Sequence, residues 1–314
     1  MLVTPFLDDG EVDYESFGRL VDHMVAAGIR TVMHPGFASE YYKLSDDELT
    51  KLMIALLDRT RTIVGFTTVI SIADHATHLA VRRAIAAVEA GATAINILPP
   101  HQLAPSPIAV REHVRVVAAS VAGVPVVVQY APALTGTALD AASISQMARD
   151  VPNVAQVKVE SLPAGALITA LAAQSPPLTS VVGYAGVQLI DALRRGAVGV
   201  QPGSAFAEIY LRIWSAWEGG RKEEAVILHS RLLPYISYWM QDLELFIAAE
   251  KRIATMRDLI ASGHCRAPAR QLDAEENAMI DRFFAEFTSE LASDRHGAPD
   301  APTVTSTKTT TASG

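Results

Sequence analysis

Six lysines occur in the chain: Lys43, Lys51, Lys158, Lys222, Lys251 and Lys308. Five stand in polar or helical surroundings. Lys158 stands in VAQVKVES, at the end of an apolar, β-branched run. An ammonium there loses hydration, which favours the neutral amine. A neutral amine attacks a ketone and forms a Schiff base. The alternative is a lysine paired with a neighbouring carboxylate such as Glu160. Tyr130 ends the preceding apolar run, VPVVVQYAP, at a matching height. Its phenol could carry protons to and from a carbinolamine. The alternative is a core tyrosine whose hydroxyl takes a backbone partner. A third segment, HPGFASEYYKLS, brings a glycine turn. Gly36 lets the backbone approach a ligand, and the amides of Phe37, Ala38 and Ser39 could cradle a carboxylate. The alternative is an ordinary turn into the next helix. Glu40 is read as a buried structural carboxylate tied to the loop amides rather than as a catalytic acid.

Such residues need a frame to converge. Short apolar runs alternate with amphipathic helical stretches along most of the chain. Eight runs read as strands: Leu2–Pro5, Thr31–Gly36, Thr62–Val69, Ala94–Leu98, Pro125–Tyr130, Val154–Val159, Thr179–Val182 and Val198–Gln201. Their continuous apolar character fits strands buried on both faces. Helical stretches fall between them, at 13–27, 72–90, 108–121 and 141–149 for example. Ser45 to Glu48 reads as a capping box, and Gly28, Gly91 and Gly123 follow helix ends. Eight β-then-α units predict an α/β fold, a (β/α)8 barrel, whose active residues stand at the C-terminal ends of the strands. A doubly wound sheet would carry a glycine-rich phosphate turn, and neither GxGxxG nor a Walker A sequence occurs. The expected organisation is a barrel over 1–219, a helical extension over 220–292 and a disordered Thr/Ser-rich tail over 293–314.

The composition narrows the classes. The 314 residues are 50% hydrophobic and 19% charged, with a net charge of −8. The charged share is below the roughly 25% of ordinary soluble domains, as a chain with many buried positions requires. Mean hydropathy is +0.22. No basic stripe suggests nucleic acid as a partner. No run approaches the ~20 apolar residues of a membrane-spanning helix. The opening MLVTPFLDDG has no secretory pattern, so a cytoplasmic protein is expected. A single cysteine, Cys265, excludes an intrachain disulfide framework and cysteine-rich metal sites. A rival reading is a metal-dependent barrel lyase or hydrolase built on His34, His75, His78 and His101 with Asp74. No HxH or HExxH pattern supports it.

In order along the chain stand LVTPF, DGEVD, Gly36 to Glu40, Tyr130 with Pro132, Lys158, and GAVG at 196–199. Their order and spacing resemble the dihydrodipicolinate synthase / N-acetylneuraminate lyase superfamily, from Leu2 to about Phe284. The resemblance implies that Lys158 forms an imine with pyruvate or another 2-oxo acid. It implies that Tyr130 is the proton shuttle, with Ser39 or Ser161 assisting. It also implies that the Gly36–Glu40 loop grips the carboxylate. Thr4, Glu160, Gly183, Tyr184 and Gln201 complete the expected substrate-binding set. No cofactor and no metal are implied beyond the covalent lysine imine. The implied assembly is a homotetramer, a dimer of dimers. A non-catalytic binding protein on the same fold is a further alternative, against which Tyr130 and Lys158 both argue.

Departures sharpen the expectation. The loop threonine of the synthases is replaced by Phe37, their P-Y-Y motif by Pro99-Pro100-His101, and their carboxylate-binding arginine by Leu134. A lysine-biosynthetic condensation of pyruvate with an aldehyde therefore loses three side-chain contacts. After the seventh strand, Gly183-Tyr184-Ala185-Gly186 lacks the acidic groups of the sialic acid lyases. Segments FASE (37–40), LPP (98–100), QYAPALTGTAL (129–139), KVE (158–160) and LLPYI (232–236) are similar to the branch of 2-keto-3-deoxy-sugar-acid dehydratases. One dehydratase of that branch has lost the tyrosine that this chain would keep as Tyr130. The expected activity is a lyase on a 2-oxo acid, an aldolase or a dehydratase. Phe37 and Tyr184 predict a distal pocket more apolar than usual.

Overall fold

Seven strands form one parallel sheet in chain order: β1 (Thr31–His34), β2 (Thr67–Ile72), β3 (Ala94–Ile97), β4 (Val126–Tyr130), β5 (Val154–Val159), β6 (Thr179–Val182) and β7 (Gly199–Val200). The computed structural model describes residues 1–137 and 139–292. The tail expected from Ser293 lies outside the described residues. Helices alternate with the strands as a barrel demands: α1 (Tyr14–Ala26), α2 (Asp46–Thr60), α3 (Thr77–Glu89), α4 (Pro107–Ser120), α5 (Pro132–Thr135), α6 (Ala141–Asp150), α7 (Gly165–Ala172), α8 (Leu189–Arg194) and α9 (Ala207–Glu218). Then come α10 (Lys222–Trp239), α11 (Leu243–Met256), α12 (Ala274–Glu286) and α13 (Thr288–Leu291). The architecture is the (β/α)8 barrel with C-terminal helices.

Local chemistry explains the boundaries. Asp13, Ser106, Asp140 and Asp242 accept first-turn amides and start α1, α4, α6 and α11. Ser45 with Glu48 closes a capping box on α2. Gly28 (φ 88°) and Gly91 (φ 108°) end helices in the left-handed region. Two expected strands need correction. Leu2–Pro5 makes no ladder. It occupies the eighth stave by single contacts instead: the Leu2 amide donates to Met33 O (3.0 Å) and the Val3 amide to Ser204 Oγ (3.3 Å). The run expected at Thr62–Val69 begins only at Thr67, because 61–65 turn, and continues to Ile72.

Strand alternation divides the side chains into two layers. Val126, Val128 and Tyr130 join the large apolar core between barrel and helices, with Ile95, Ile97, Val157 and Val159. Met33, Val69 and Ala94 form a separate cluster inside the barrel, with Met1 against it. The inward-facing set continues upward through Ser71, Asn96, Gln129 and Lys158.

Candidate active site

The inward side chains near the strand ends make one polar chain. Asn96 Nδ2 donates to Ser71 Oγ (2.7 Å) and to Gln129 Oε1 (3.0 Å). Gln129 Nε2 donates to Glu160 Oε2 (2.7 Å), and Lys158 Nζ lies 3.1 Å from Glu160 Oε1. All five are buried, Lys158 to 5% and Glu160 to 8% exposure. Lys158 is therefore an ion-paired lysine in the free protein. The carboxylate partner allowed by the sequence is present, and it is itself held by an amide. Gly183 makes room for it, since a Cβ there would fall 2.3 Å from Glu160.

Tyr130 does not join this chain. The β4–β5 register shifts by one residue between Val126 and Val127, so that Val126 opposes Val154 but Gln129, not Tyr130, opposes Lys158. A one-residue shift exchanges the faces of a strand. The phenol consequently lies in the helix-facing layer, where its hydroxyl accepts the Leu139 amide (3.1 Å). Counting from Val126 and Val154 alone puts Tyr130 level with Lys158, which is the source of the expectation. Tyr130→Phe is expected to keep kcat/KM within about threefold and to cost about 1 kcal/mol of stability, as the Leu139 amide loses its acceptor. A hundredfold loss of activity with stability intact would restore the proton-shuttle role.

A cleft of about 470 Å³, mouth included, opens above Lys158. Among the expected residues, Phe37, Ala38, Glu160, Tyr184 and Gln201 line it with Lys158. Thr4, Gly36, Ser39 and Gly183 do not; they support the walls. Gly36 is extended (φ −164°) and leads into a 3-10 turn over Phe37–Ser39. Ser39 is fully buried, its hydroxyl donating to Leu2 O (2.6 Å) and accepting the Gly36 amide (3.1 Å). Its own amide donates to Gly36 O (2.9 Å), so the expected three-amide cradle reduces to the amides of Phe37 and Ala38. Ser161 turns away to Pro163 O (3.3 Å). Tyr184 (φ 51°) and Ala185 (φ 46°) hold the left-handed conformation, which non-glycine residues keep only under constraint. The Tyr210 hydroxyl on Ala185 O and His229 Nε2 on Gly186 O (2.9 Å) supply it. Burial, and then the Glu160 charge, raises the Tyr184 phenol above its usual pKa.

The loop is fixed from behind. Glu40 binds Lys43 (3.0 Å), Lys251 (2.5 Å) and the Arg266 amide (3.2 Å), not the loop amides. Lys251 is fully buried, so Lys158 is not the only lysine withdrawn from water. Thr4 Oγ1 donates to Ser39 O (2.7 Å) and lies 3.1 Å from His34 Nε2, which therefore carries the donor hydrogen. Burial lowers the His34 pKa to about 3 from 6.5. Its neutral ring contributes full stability above pH 6.5, and that contribution falls as pH drops below 6.5, by up to about 1.4 kcal/mol per pH unit. Urea unfolding at pH 7 and pH 5 checks this, with His34→Gln flattening the difference. His75 and His101 meet edge to face at 4.5 Å, and Asp74 binds Arg83 (2.7 Å). Among the described residues no three His, Cys, Asp or Glu side chains gather where they could hold a metal ion. No helix of the described residues is long and apolar enough to cross a membrane.

Sequence reasoning missed Ser71, Asn96 and Gln129. The signal was available, because each is a lone polar residue near the end of an apolar strand, and a buried polar group is informative. It also missed Met240, Leu243 and Phe246, which the C-terminal helical region contributes to the cleft.

Fold and site together define a lysine-bearing (β/α)8 barrel of the aldolase and lyase class. The chain belongs to the dihydrodipicolinate synthetase family, whose model matches residues 1–286. It is 29% identical over 288 residues to L-2-keto-3-deoxyarabonate dehydratase of Azospirillum brasilense, covering 88% of this chain and 89% of that one. It is 32% identical over 236 residues to 4-hydroxy-tetrahydrodipicolinate synthase of Chlorobium phaeobacteroides, covering 74% and 77%. The dihydrodipicolinate synthase structure from Rhodopseudomonas palustris superposes with a TM-score of 0.83 at 24% identity, covering 90% of this chain and 95% of that one.

Proposed function

We propose that this chain is a metal-independent, Schiff-base-forming lyase acting on a 2-oxo acid, either an aldolase or a 2-keto-3-deoxy-acid dehydratase. The observation that carries the reading is the buried Lys158–Glu160 pair, held by Gln129, at the floor of the cleft. Glu160 Oε1 lies 3.1 Å from the lysine nitrogen and can take its proton, freeing the amine to attack C2. The carbinolamine loses water to give the iminium. The Glu160 proton leaves with the carbinolamine hydroxyl as that water, so the iminium is again a cation beside a carboxylate. The carboxylate then removes the C3 proton to give an enamine, and the electron pair expels the C4 hydroxyl, which leaves as water with the Glu160 proton. In the cleavage direction Glu160 takes the C4 hydroxyl proton as the C3–C4 bond breaks into the iminium, and returns it to C3 of the resulting enamine to regenerate the iminium. Water releases the product from Lys158 in both. The amides of Phe37 and Ala38 and the Gln201 amide are assigned to the substrate carboxylate.

Gln129 and Glu160 thus stand in for the tyrosine relay, and Tyr130 is left to the core. Glu160→Gln keeps the bond from Gln129's neighbourhood and the shape, but removes the base. It is expected to lower kcat about a hundredfold. The lysine imine should still form and be trapped by borohydride. Unchanged kcat would overturn the role. Product analysis on a 2-keto-3-deoxy acid separates elimination from cleavage. The aldehyde condensation of the synthases is disfavoured by Phe37, His101 and Leu134. The homotetramer is carried as part of this proposal; light scattering is expected to give four times the 33.6 kDa chain mass, and a monomer mass would overturn it.

A further inference from the structure

The walls of the cleft differ from its floor. Lys158, Glu160 and Gln201 form the floor at the strand ends. The walls are Phe37 after β1, Leu134 on α5, Tyr184 after β6, Met240 just after α10, and Leu243 and Phe246 on the first turn of α11. Lys158 and Glu160 are the only charged side chains among the described residues that line it, and they engage each other. Both are committed to the 2-oxo-acid end in the reaction above. The wall residues are held in place. Phe37 packs edge-on against Tyr41 at 5.6 Å, Phe246 is buried to 4%, and the turn carrying Tyr184 is clamped by Tyr210 and His229.

A carboxylate or a row of hydroxyls placed against these walls would find the Tyr184 hydroxyl as its one side-chain partner there and would lose more hydration than it regains. An alkyl or aryl group would gain contact and lose nothing. We infer that the substrate is a 2-oxo acid whose tail beyond the reacting C4 hydroxyl is uncharged and apolar. The inference rests on the imine reading above and adds the identity of the far half. Leu134 is the informative rim residue. It is 42% exposed on a short helix, so a longer side chain can be accommodated there.

The test uses the full chain and measures the Lys158 adduct trapped by borohydride, by intact mass and peptide mapping. The probes are pyruvate, 2-oxohexanoate, 2-oxoglutarate and a 2-keto-3-deoxypentonate. The expected result is half-saturation by 2-oxohexanoate at a concentration at least about tenfold below those of 2-oxoglutarate and the hydroxylated acid. Leu134→Arg should move the preference from 2-oxohexanoate toward 2-oxoglutarate by about tenfold, each read relative to pyruvate on the same variant. Equal or tighter trapping of the charged or hydroxylated acids by the unaltered protein would overturn the inference and leave the imine reading standing. No adduct with any probe would overturn both.

Discussion

Replacing Lys158 with arginine is expected to preserve the fold and lower kcat/KM by at least about 10⁴-fold. Arginine keeps a cation against Glu160, so the buried carboxylate is not left unpaired. It cannot lose its proton, and its guanidinium does not attack a ketone. The covalent route then disappears while the electrostatics of the floor survive. Lys158→Ala removes the same nucleophile but also strands Glu160 beside Gln129, so its loss of activity would mix chemistry with instability. Circular dichroism and urea midpoints show whether the arginine variant is folded, and steady-state rates on a responsive 2-oxo acid give the loss. Retention of more than one hundredth of the activity would show that Lys158 is a structural ion pair.

Lys251→Ala is expected to cost about 3 kcal/mol or more of stability, the usual penalty for removing one partner of a buried pair. Lys251 Nζ touches Glu40 and His264 O (2.9 Å) and stands 4.2 Å above the Phe6 ring, with no exposure to water. Burial lowers its pKa and the Glu40 carboxylate opposes that shift. Without it Glu40 keeps Lys43 and the Arg266 amide, which compensate only in part. The turn over Phe37–Ser39 rests on this cluster, so KM should rise as well. The double variant Glu40→Gln with Lys251→Met removes both charges and should recover most of the lost stability. Urea unfolding of the single and double variants decides the matter. A single variant within 1 kcal/mol of the parent would mean that the pair is not what holds the loop.

The barrel was legible because its strands are apolar runs separated by capped helices, and those signals are local. Lys158 was legible for the same reason, as a charge inside such a run. What misled was register. The irregularity opposite Val126 and Val127 leaves no mark in VPVVVQY or VPNVAQV, yet it decides whether Gln129 or Tyr130 faces the lysine. The roof of the cleft was equally hidden. Met240, Leu243 and Phe246 follow the eighth β/α unit and reach the site only through the docking of α11 on the Phe37–Ser39 turn, a contact between residues some two hundred positions apart. Lys251 reads as one more polar residue on a helix, because the carboxylate that buries it comes from Glu40.

The central claim is that Lys158 carries the substrate as an imine. Incubation with pyruvate and sodium borohydride, followed by peptide mass mapping, tests it most directly. One reduced adduct per chain is expected, on the peptide containing Lys158, and none on Lys43 or Lys251. An unmodified Lys158 peptide with pyruvate and with longer 2-oxo acids would contradict it.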